Sequence, residues 1–188
     1  LELKKRLRNI ESDRDRRFIS ALIYGVIEKK LTLDYYIDKV SSVKLRKINT
    51  VVLNVLRMGL YQIIFLSTPE SAACNSSVEL TKTNGQMKSA GFVNAVLRKL
   101  SQLYHDIPLP ENKTEYLSVK YSVSPSVLKI LVDSLGEQNT KRYLEYKADE
   151  SKTIYIAANT VKLCDDKLTE ILCKEGITAL KTDLNGLF

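Results

Sequence analysis

Residues 48–66 carry apolar side chains on nearly every face of a helix, and from residue 51 onwards the only polar interruptions are Asn54, Arg57 and Gln62. A helix that is apolar all round is buried by its neighbours, so the rest of the chain has to supply helices that cover it. The longest uninterrupted apolar stretch within it, residues 63–66, is far shorter than the roughly 20 residues that span a bilayer. The sequence therefore predicts a soluble bundle built around one central helix.

Amphipathic segments on both sides of this helix predict its neighbours. Apolar residues recur there at spacings of three and four, the period of a helix with one buried face. Thr68 is expected to cap a helix that starts at Pro69, and Gly25 is expected to permit a close helix crossing. The predicted flanking helices span residues 15–30, 32–40, 69–84 and 89–104.

A break in the helical pattern divides the chain. Residues 105–112 contain Pro108 and Pro110, which predict a linker. We therefore expect an all-helical domain over residues 1–110 and a second region over residues 111–188. In the second region, helices are predicted at 125–135, 137–148 and 165–175, closed by Gly136 and Gly176 where glycine ends a helix, and strands at 153–157 and 177–180. The fold class predicted is mainly α, followed by a small α/β module.

Positive charge is concentrated in the first part of the chain. Residues 1–110 hold 18 Lys+Arg and 10 Asp+Glu, whereas residues 111–188 hold 11 and 12. Seven of the cations fall within the first seventeen residues, and five of these are arginines, which bind phosphate through two parallel hydrogen bonds. This pattern favours nucleic acid as the partner. A solvated helix face and an anionic lipid surface are the alternatives.

Several chemistries have no residues to support them. The seven glycines are never closer than six apart, so no glycine-rich loop for a nucleotide or adenosyl group can be written. His105 is the only histidine and lies in the predicted linker, and the three cysteines have no zinc-ligand spacing. We therefore expect a cytoplasmic protein without a metal. The charge of Arg57 is expected to be paired. The three cysteines are expected to be buried as small apolar residues: Cys74, Cys164 and Cys173.

Five segments resemble the start of the bacterial Sun/Fmu (RsmB-type) rRNA cytosine-C5 methyltransferases, whose first domain has the NusB antitermination fold. The most recognisable is Gly91-Phe92-Val93-Asn94-Ala95-Val96-Leu97-Arg98. The other segments lie at residues 15–26, 31–34, 54–62 and 117–122. The resemblance implies a NusB-like bundle followed by an incomplete RRM-like module, and it extends over essentially the whole chain.

The resemblance also implies an enzyme that uses S-adenosylmethionine to methylate a cytosine of small-subunit rRNA. The catalytic cysteines of that family follow Pro or Thr, whereas those of this chain follow Ala73, Leu163 and Leu172. We therefore expect a non-catalytic piece of such an enzyme, with the reactive cysteines and the cofactor domain beyond Phe188. The alternatives are a stand-alone regulatory module of antitermination type and a helical domain that docks only to proteins.

The residues expected to contact rRNA are basic, with one asparagine. For Asn94 a hydrogen bond between helices is the alternative role, and for Arg98 a structural contact at a helix end. The expected set is Arg8, Arg14, Arg16, Arg17, Lys82, Lys88, Asn94, Arg98 and Lys99.

Overall fold

The computed structural model describes residues 2–148, 156–159, 161–162 and 164–180, and this part of the chain is almost entirely helical. The chain divides into two compact units, of which the first ends at Leu144 and the second begins at Glu145. The helices are α1 Glu2–Leu7, α2 Asp13–Glu28, α3 Lys30–Val40, α4 Thr50–Phe65, α5 Glu70–Thr83, α6 Ala90–Leu103, α7 Lys113–Tyr121, α8 Pro125–Ala148 and α9 Asp165–Lys174. The backbone of α8 is not helical at Gly136, which has a φ of +76°, so α8 is kinked where the sequence predicts that one helix ends. Two short 3-10 helices, Leu45–Lys47 and Met87–Ser89, precede α4 and α6.

The central helix predicted from residues 48–66 is α4, which packs against α2, α3, α5 and α6. This confirms the prediction of a mainly α bundle around one buried helix. The buried core draws on α3, α4, α5 and α6. Its members are Leu33, Ile37, Val52, Val55, Leu56, Leu60, Cys74, Val93, Val96, Leu97 and Leu100.

Two glycines allow the helices to approach α4 closely. A β-carbon at Gly25 would overlap the ring of Tyr61, so the absence of a side chain lets α2 cross α4 at this point, as the sequence predicts. A β-carbon at Gly59 would lie 2.6 Å from Ser77 Oγ of α5 and 2.6 Å from Leu97 Cδ1 of α6. These glycines therefore set the spacing of α4 from three neighbours.

The side chain of Arg57 pairs with Asp34, as expected for a charge in the central helix. Its Nε donates to Asp34 Oδ1 at 2.6 Å and its Nη2 to Asp34 Oδ2 at 2.8 Å, while Nη1 donates to Asn54 Oδ1 at 2.8 Å. The two charged side chains are only 12% and 18% exposed. This forked ion pair joins α3 to α4.

The predicted cap of α5 is wrong. Pro69 occupies the N-cap position of α5, which begins at Glu70, so Thr68 is not the cap. The backbone N–H of Thr68 instead donates to the Gln62 carbonyl at 3.0 Å and closes the end of α4. By contrast, α8 begins at Pro125 as predicted, with Ser124 Oγ accepting from the Val127 N–H at 3.3 Å.

The residues after the predicted linker pack on the bundle. Tyr35 OH of α3 donates to the Pro108 carbonyl at 2.6 Å, and α3 also packs against α7. The compact unit therefore includes residues on both sides of position 110, and the division of the chain at that position stays a prediction.

The described part of the second unit contains the last four residues of α8, the helix α9 and a single bridge residue, Ala157. The structure has no strand at residues 177–180, so the prediction of a strand there is wrong. Gly176 has a φ of +75°, and the Ile177 N–H donates to the Leu172 carbonyl at 2.8 Å. The Ile177 N–H is therefore bonded to the end of the helix, where a strand would need it as a donor. Most of the other predicted strand, residues 153–155, lies outside the described residues. None of the described helices is long and apolar enough to span a membrane.

Candidate nucleic-acid interface

The first turns of α2 present two arginines on one helix face. The Ser12 side chain caps the helix by accepting from the Asp15 N–H at 3.2 Å. Arg14 and Arg17 follow three residues apart, so they lie on the same face, and both are exposed. Within the described part of the chain, neither arginine forms an ion pair. Both guanidinium groups can therefore receive a phosphate.

Arg16 is held more tightly than its neighbours. Its Nη1 donates to the Ile10 carbonyl at 3.0 Å, and its Nη2 donates to the Asp13 carboxylate. This hydrogen bond, together with the charge of Arg16, lowers the pKa of the Asp13 carboxyl. Arg16 fixes the connection between α1 and α2, which leaves it less free for a ligand than Arg14 or Arg17. A shallow concavity of about 360 Å³ lies beside it, lined by Asp13, Arg16, Arg17 and Ser20.

Arg8 follows the short helix α1 and is exposed. Its neighbour Arg6 pairs with Glu2, with a distance of 2.9 Å between Nε and Oε1. Arg8 has no such partner among the described residues. It therefore adds a third uncompensated guanidinium to the N-terminal group.

A second group of cations lies on α5, α6 and the turn between them. Lys82 is in the last turn of α5, where it pairs with Glu79 at 2.7 Å, and Lys88 lies in the 3-10 helix before α6. Arg98 and Lys99 are on α6, and all four side chains are exposed. Because α5 and α6 pack directly against each other, the fold brings these four residues onto one helical hairpin.

Asn94 lies one helical turn before Arg98 on the same face of α6, and it is half-buried. The structure records no hydrogen bond from its side chain to any residue that it describes, so the alternative of a hydrogen bond between helices is wrong. Its amide is thus available beside Arg98. Whether it contacts RNA stays a prediction.

The two groups share α4 as a neighbour. α2 packs against α4, and so do α5 and α6. The structure therefore attaches both groups to one buried helix. The N-terminal group consists of Arg8, Arg14, Arg16 and Arg17, and the hairpin group of Lys82, Lys88, Asn94, Arg98 and Lys99.

The cysteines do not form a reactive centre with other side chains. Cys74 is buried in the core as expected, and burial raises the pKa of its thiol. Cys164 and Cys173 are exposed, so the expectation that they are buried is wrong. Their helix, α9, has no buried residue in the described structure, which leaves no apolar interior for a thiol to enter. Among the described residues there is no group of three or more His, Cys, Asp or Glu that could hold a metal ion.

One cationic group was missed by sequence reasoning. Lys30 and Lys120 are ninety positions apart, yet the contact of α3 with α7 brings their backbones close together. Lys30 stands beside Lys29 and Lys120 lies within the 117–122 segment, but only the fold shows that Lys30 and Lys120 are neighbours.

Comparison with known proteins gives matches of two kinds. The model of the NusB family matches residues 1–102. The transcription antitermination protein NusB of Ruminiclostridium cellulolyticum is 34% identical over 103 residues, which cover 54% of this chain and 70% of that protein. The family match covers the helices that pack around α4 and carry the two cationic groups.

Longer matches extend beyond these helices. The probable ribosomal RNA small subunit methyltransferase B of Bacillus subtilis is 29% identical over 177 residues, and that of Synechocystis is 27% identical over 176. Each match covers 92% of this chain, which spans 39% of the length of those two proteins. The crystal structure of PH0851 has a TM-score of 0.64 at 16% identity, covering 95% of this chain and 40% of that one, and it supports the fold alone.

Proposed function

Since this chain belongs to the NusB family through its residues 1–102, we propose that it binds RNA, as the RNA-binding part of a small-subunit rRNA methyltransferase. The observation that carries the proposal is the set of exposed cations on α2, α5 and α6, in the part of the chain that holds all of the excess positive charge. The matches to methyltransferases over 92% of the chain favour this context, because they continue past the NusB part.

The contacts would be made mainly to phosphate. Arg14 and Arg17 are exposed and form no ion pair with a described residue, and each can give two parallel hydrogen bonds to one phosphate group. Such contacts supply affinity and fix the position of the RNA without reading its sequence. In this proposal the choice of cytosine is left to a catalytic pocket elsewhere in the whole protein.

The chain itself would contribute binding and not methyl transfer. It has no glycine-rich adenosyl loop, and none of its cysteines follows Pro or Thr as the catalytic ones of the family do. Cys74 is further disfavoured as a nucleophile because burial raises the pKa of its thiol. S-adenosylmethionine would be held by another part of the whole protein, which would act in the cytoplasm on small-subunit rRNA.

We assign RNA binding to residues 1–110 and a connecting role to residues 111–188. The family match ends at residue 102, and the surplus of cations ends in the same region. The balance of 11 Lys+Arg to 12 Asp+Glu after residue 110 gives that part no general attraction for phosphate.

Substituting the two free arginines of α2 tests the proposal. Arg14→Gln/Arg17→Gln is expected to weaken binding of the 188-residue chain to a small-subunit rRNA hairpin about tenfold at low salt, because two phosphate contacts are lost. The matched control is Lys167→Gln/Lys174→Gln, which removes the same charge from exposed positions on α9. Equal effects of the two double variants would show that only net charge matters and would contradict the proposal.

The second candidate is a regulatory RNA-binding module of antitermination type without an enzyme. The 34% identity to an antitermination protein over 103 residues favours it. The gene separates the two candidates. A reading frame that continues past Phe188 into a segment with Pro-Cys and Thr-Cys motifs supports the methyltransferase, and a stop codon there supports the module.

A further inference from the structure

The beginning of α3 is fastened to the end of α7. The backbone N–H of Leu31 donates to Ser122 Oγ at 3.0 Å, and Thr32 Oγ1 donates to the Val119 carbonyl. These contacts join residues 91 and 87 positions apart in the sequence. They place part of α7, which lies outside the NusB match, directly on the NusB helices.

Three lysines lie within two residues of these contacts. Lys29 and Lys30 join α2 to α3, and Lys120 is in the last turn of α7. Lys30 and Lys120 are exposed, Lys29 is half-buried, and none of the three has an ion-pair partner in the described part of the chain. We call Lys29, Lys30 and Lys120 the junction lysines.

Few carboxylates offset the junction lysines. Asp34, one turn further along α3, is occupied by the forked ion pair with Arg57. Glu28 precedes Lys29 and supplies one negative charge against three positive ones. The junction therefore carries a net positive charge, to which the fold brings lysines from two segments far apart in the sequence.

Aromatic rings hold two of the junction lysines in place. Lys120 Nζ lies 5.3 Å from the ring centre of Tyr116 and 5.4 Å from that of Tyr121, and it donates to Tyr116 OH at 3.1 Å. Lys29 Nζ lies 5.7 Å from the ring centre of Phe65. These contacts restrict the lysine side chains before a ligand binds, so that less conformational entropy is lost on binding. The Lys120 side chain nevertheless stays exposed. The hydrogen bond with Tyr116 also raises the pKa of Lys120, which keeps its charge.

The surroundings of the junction lysines favour nucleic acid over a membrane or an apolar protein partner. A lipid surface requires large apolar side chains that insert beside the lysines. Ile27, two residues before Lys29, is 67% exposed, but no large apolar side chain of residues 29–36 or 116–122 is strongly exposed, so a membrane would receive one such side chain at most from these segments. Lysines interleaved with aromatic rings are instead typical of surfaces that follow a nucleic-acid backbone.

We propose that the junction of α3 and α7 is a second phosphate-contact patch, in which the junction lysines extend the RNA-binding surface from the NusB helices onto α7. The proposal rests on the proposed function and adds the RNA backbone as the ligand of a site that includes residues beyond the NusB match. RNA bound to the 188-residue chain would contact Lys120 in addition to the arginines of α2.

The experiment measures binding of a fluorescein-labelled rRNA hairpin across salt concentrations. Lys30→Gln/Lys120→Gln is expected to make the log–log salt slope shallower by about 1.4 to 1.8, because each lost phosphate contact removes about 0.7 to 0.9. Lys30→Arg/Lys120→Arg keeps the charge and is expected to retain the slope of the unmodified chain. Circular dichroism of both variants checks that the helices are intact.

The control Lys44→Gln/Lys47→Gln removes equal charge beyond the far end of α3, about 16 Å from the junction along an 11-residue helix. Its slope is expected to match that of the unmodified chain. The proposal is overturned if Lys30→Gln/Lys120→Gln keeps the full slope, or changes it no more than the control does, while Arg14→Gln/Arg17→Gln still weakens binding. A salt slope near zero for the unmodified chain would instead refute the proposed function.

Discussion

At the scale of single residues, small details of α4 decide how the bundle closes. Gly25 makes room for Tyr61, and Gly59 makes room for Ser77 and Leu97. Arg57 carries its charge into the bundle only because Asp34 meets it with both carboxylate oxygens. Each of these residues relieves a steric clash or an unpaired charge that arises because α4 is surrounded by other helices.

Gly25→Ala is expected to destabilise the protein by about 1 to 3 kcal/mol, because the new methyl group would overlap the Tyr61 ring and force the helices apart. Gly91→Ala is the matched control, since a β-carbon at this position in α6 meets no atom within 4 Å. It is expected to be neutral or to stabilise by up to about 1 kcal/mol. Urea unfolding followed by circular dichroism measures both, and equal effects would contradict the close crossing.

Asp34→Asn is expected to lower the free energy of unfolding by about 2 to 3 kcal/mol, because it leaves a mostly buried guanidinium without its counter-charge. Glu137→Gln breaks the ion pair of Glu137 with Lys113, whose side chains are 65% and 68% exposed, and is expected to cost about 0.5 kcal/mol or less. Denaturant titrations compare the two. An effect of Asp34→Asn no larger than that of Glu137→Gln would show that the Arg57 pair is solvated.

At the scale of helices, α3 connects the parts of the first unit. It packs on α4 and α6 within the core and on α7 at its start. Thr32 is buried where its hydroxyl reaches the Val119 carbonyl, and Tyr35 holds Pro108 of the intervening segment. The segment predicted to be a linker is therefore tied to the bundle on both of its sides.

Thr32→Val/Ser122→Ala removes both hydrogen bonds between α3 and α7 without changing charge. The variant is expected to lose about 1 to 2 kcal/mol of stability and to show faster amide hydrogen exchange in α7 than in α4. Thr83→Val is the control, because Thr83 is exposed and bonds only carbonyls of its own helix. Unchanged exchange in α7 would mean that other contacts hold it.

Helix positions follow from the sequence more closely than the environments of particular side chains do. The periodicity of apolar residues locates α2, α3, α4 and α6 to within a few residues, because one buried face determines the pattern. The same pattern does not show that Cys164 and Cys173 are exposed, since it does not reveal that no residue of α9 is buried. The turn at Gly176 can be predicted because glycine commonly ends a helix. The absence of a strand after it depends on the hydrogen bond from the Ile177 N–H to the Leu172 carbonyl.

The candidate interface is predictable in part for the same reason. Charge runs identify Arg14 and Arg17, and their exposure follows from the polar face of α2. The engagement of Arg16 with the Ile10 carbonyl depends on how the chain turns between α1 and α2. The meeting of Lys30 with Lys120 depends on tertiary packing and leaves no trace in local sequence.

At the scale of the whole molecule, positive charge is distributed unevenly along the chain. The NusB helices carry an excess of cations, and the remainder is nearly balanced. This asymmetry fits the proposal that one region attracts the RNA backbone while another part of the whole protein carries out chemistry. In the proposed function, contacts to phosphate are the source of the affinity for RNA.

The most direct test is the salt dependence of binding between the unmodified chain and a small-subunit rRNA hairpin. With four or more of the exposed cations on phosphate, the log of the association constant is predicted to fall with the log of salt at a slope of about −3 or steeper. Fluorescence anisotropy from low to physiological salt measures this slope. A slope near zero, or no binding at low salt, would contradict the account.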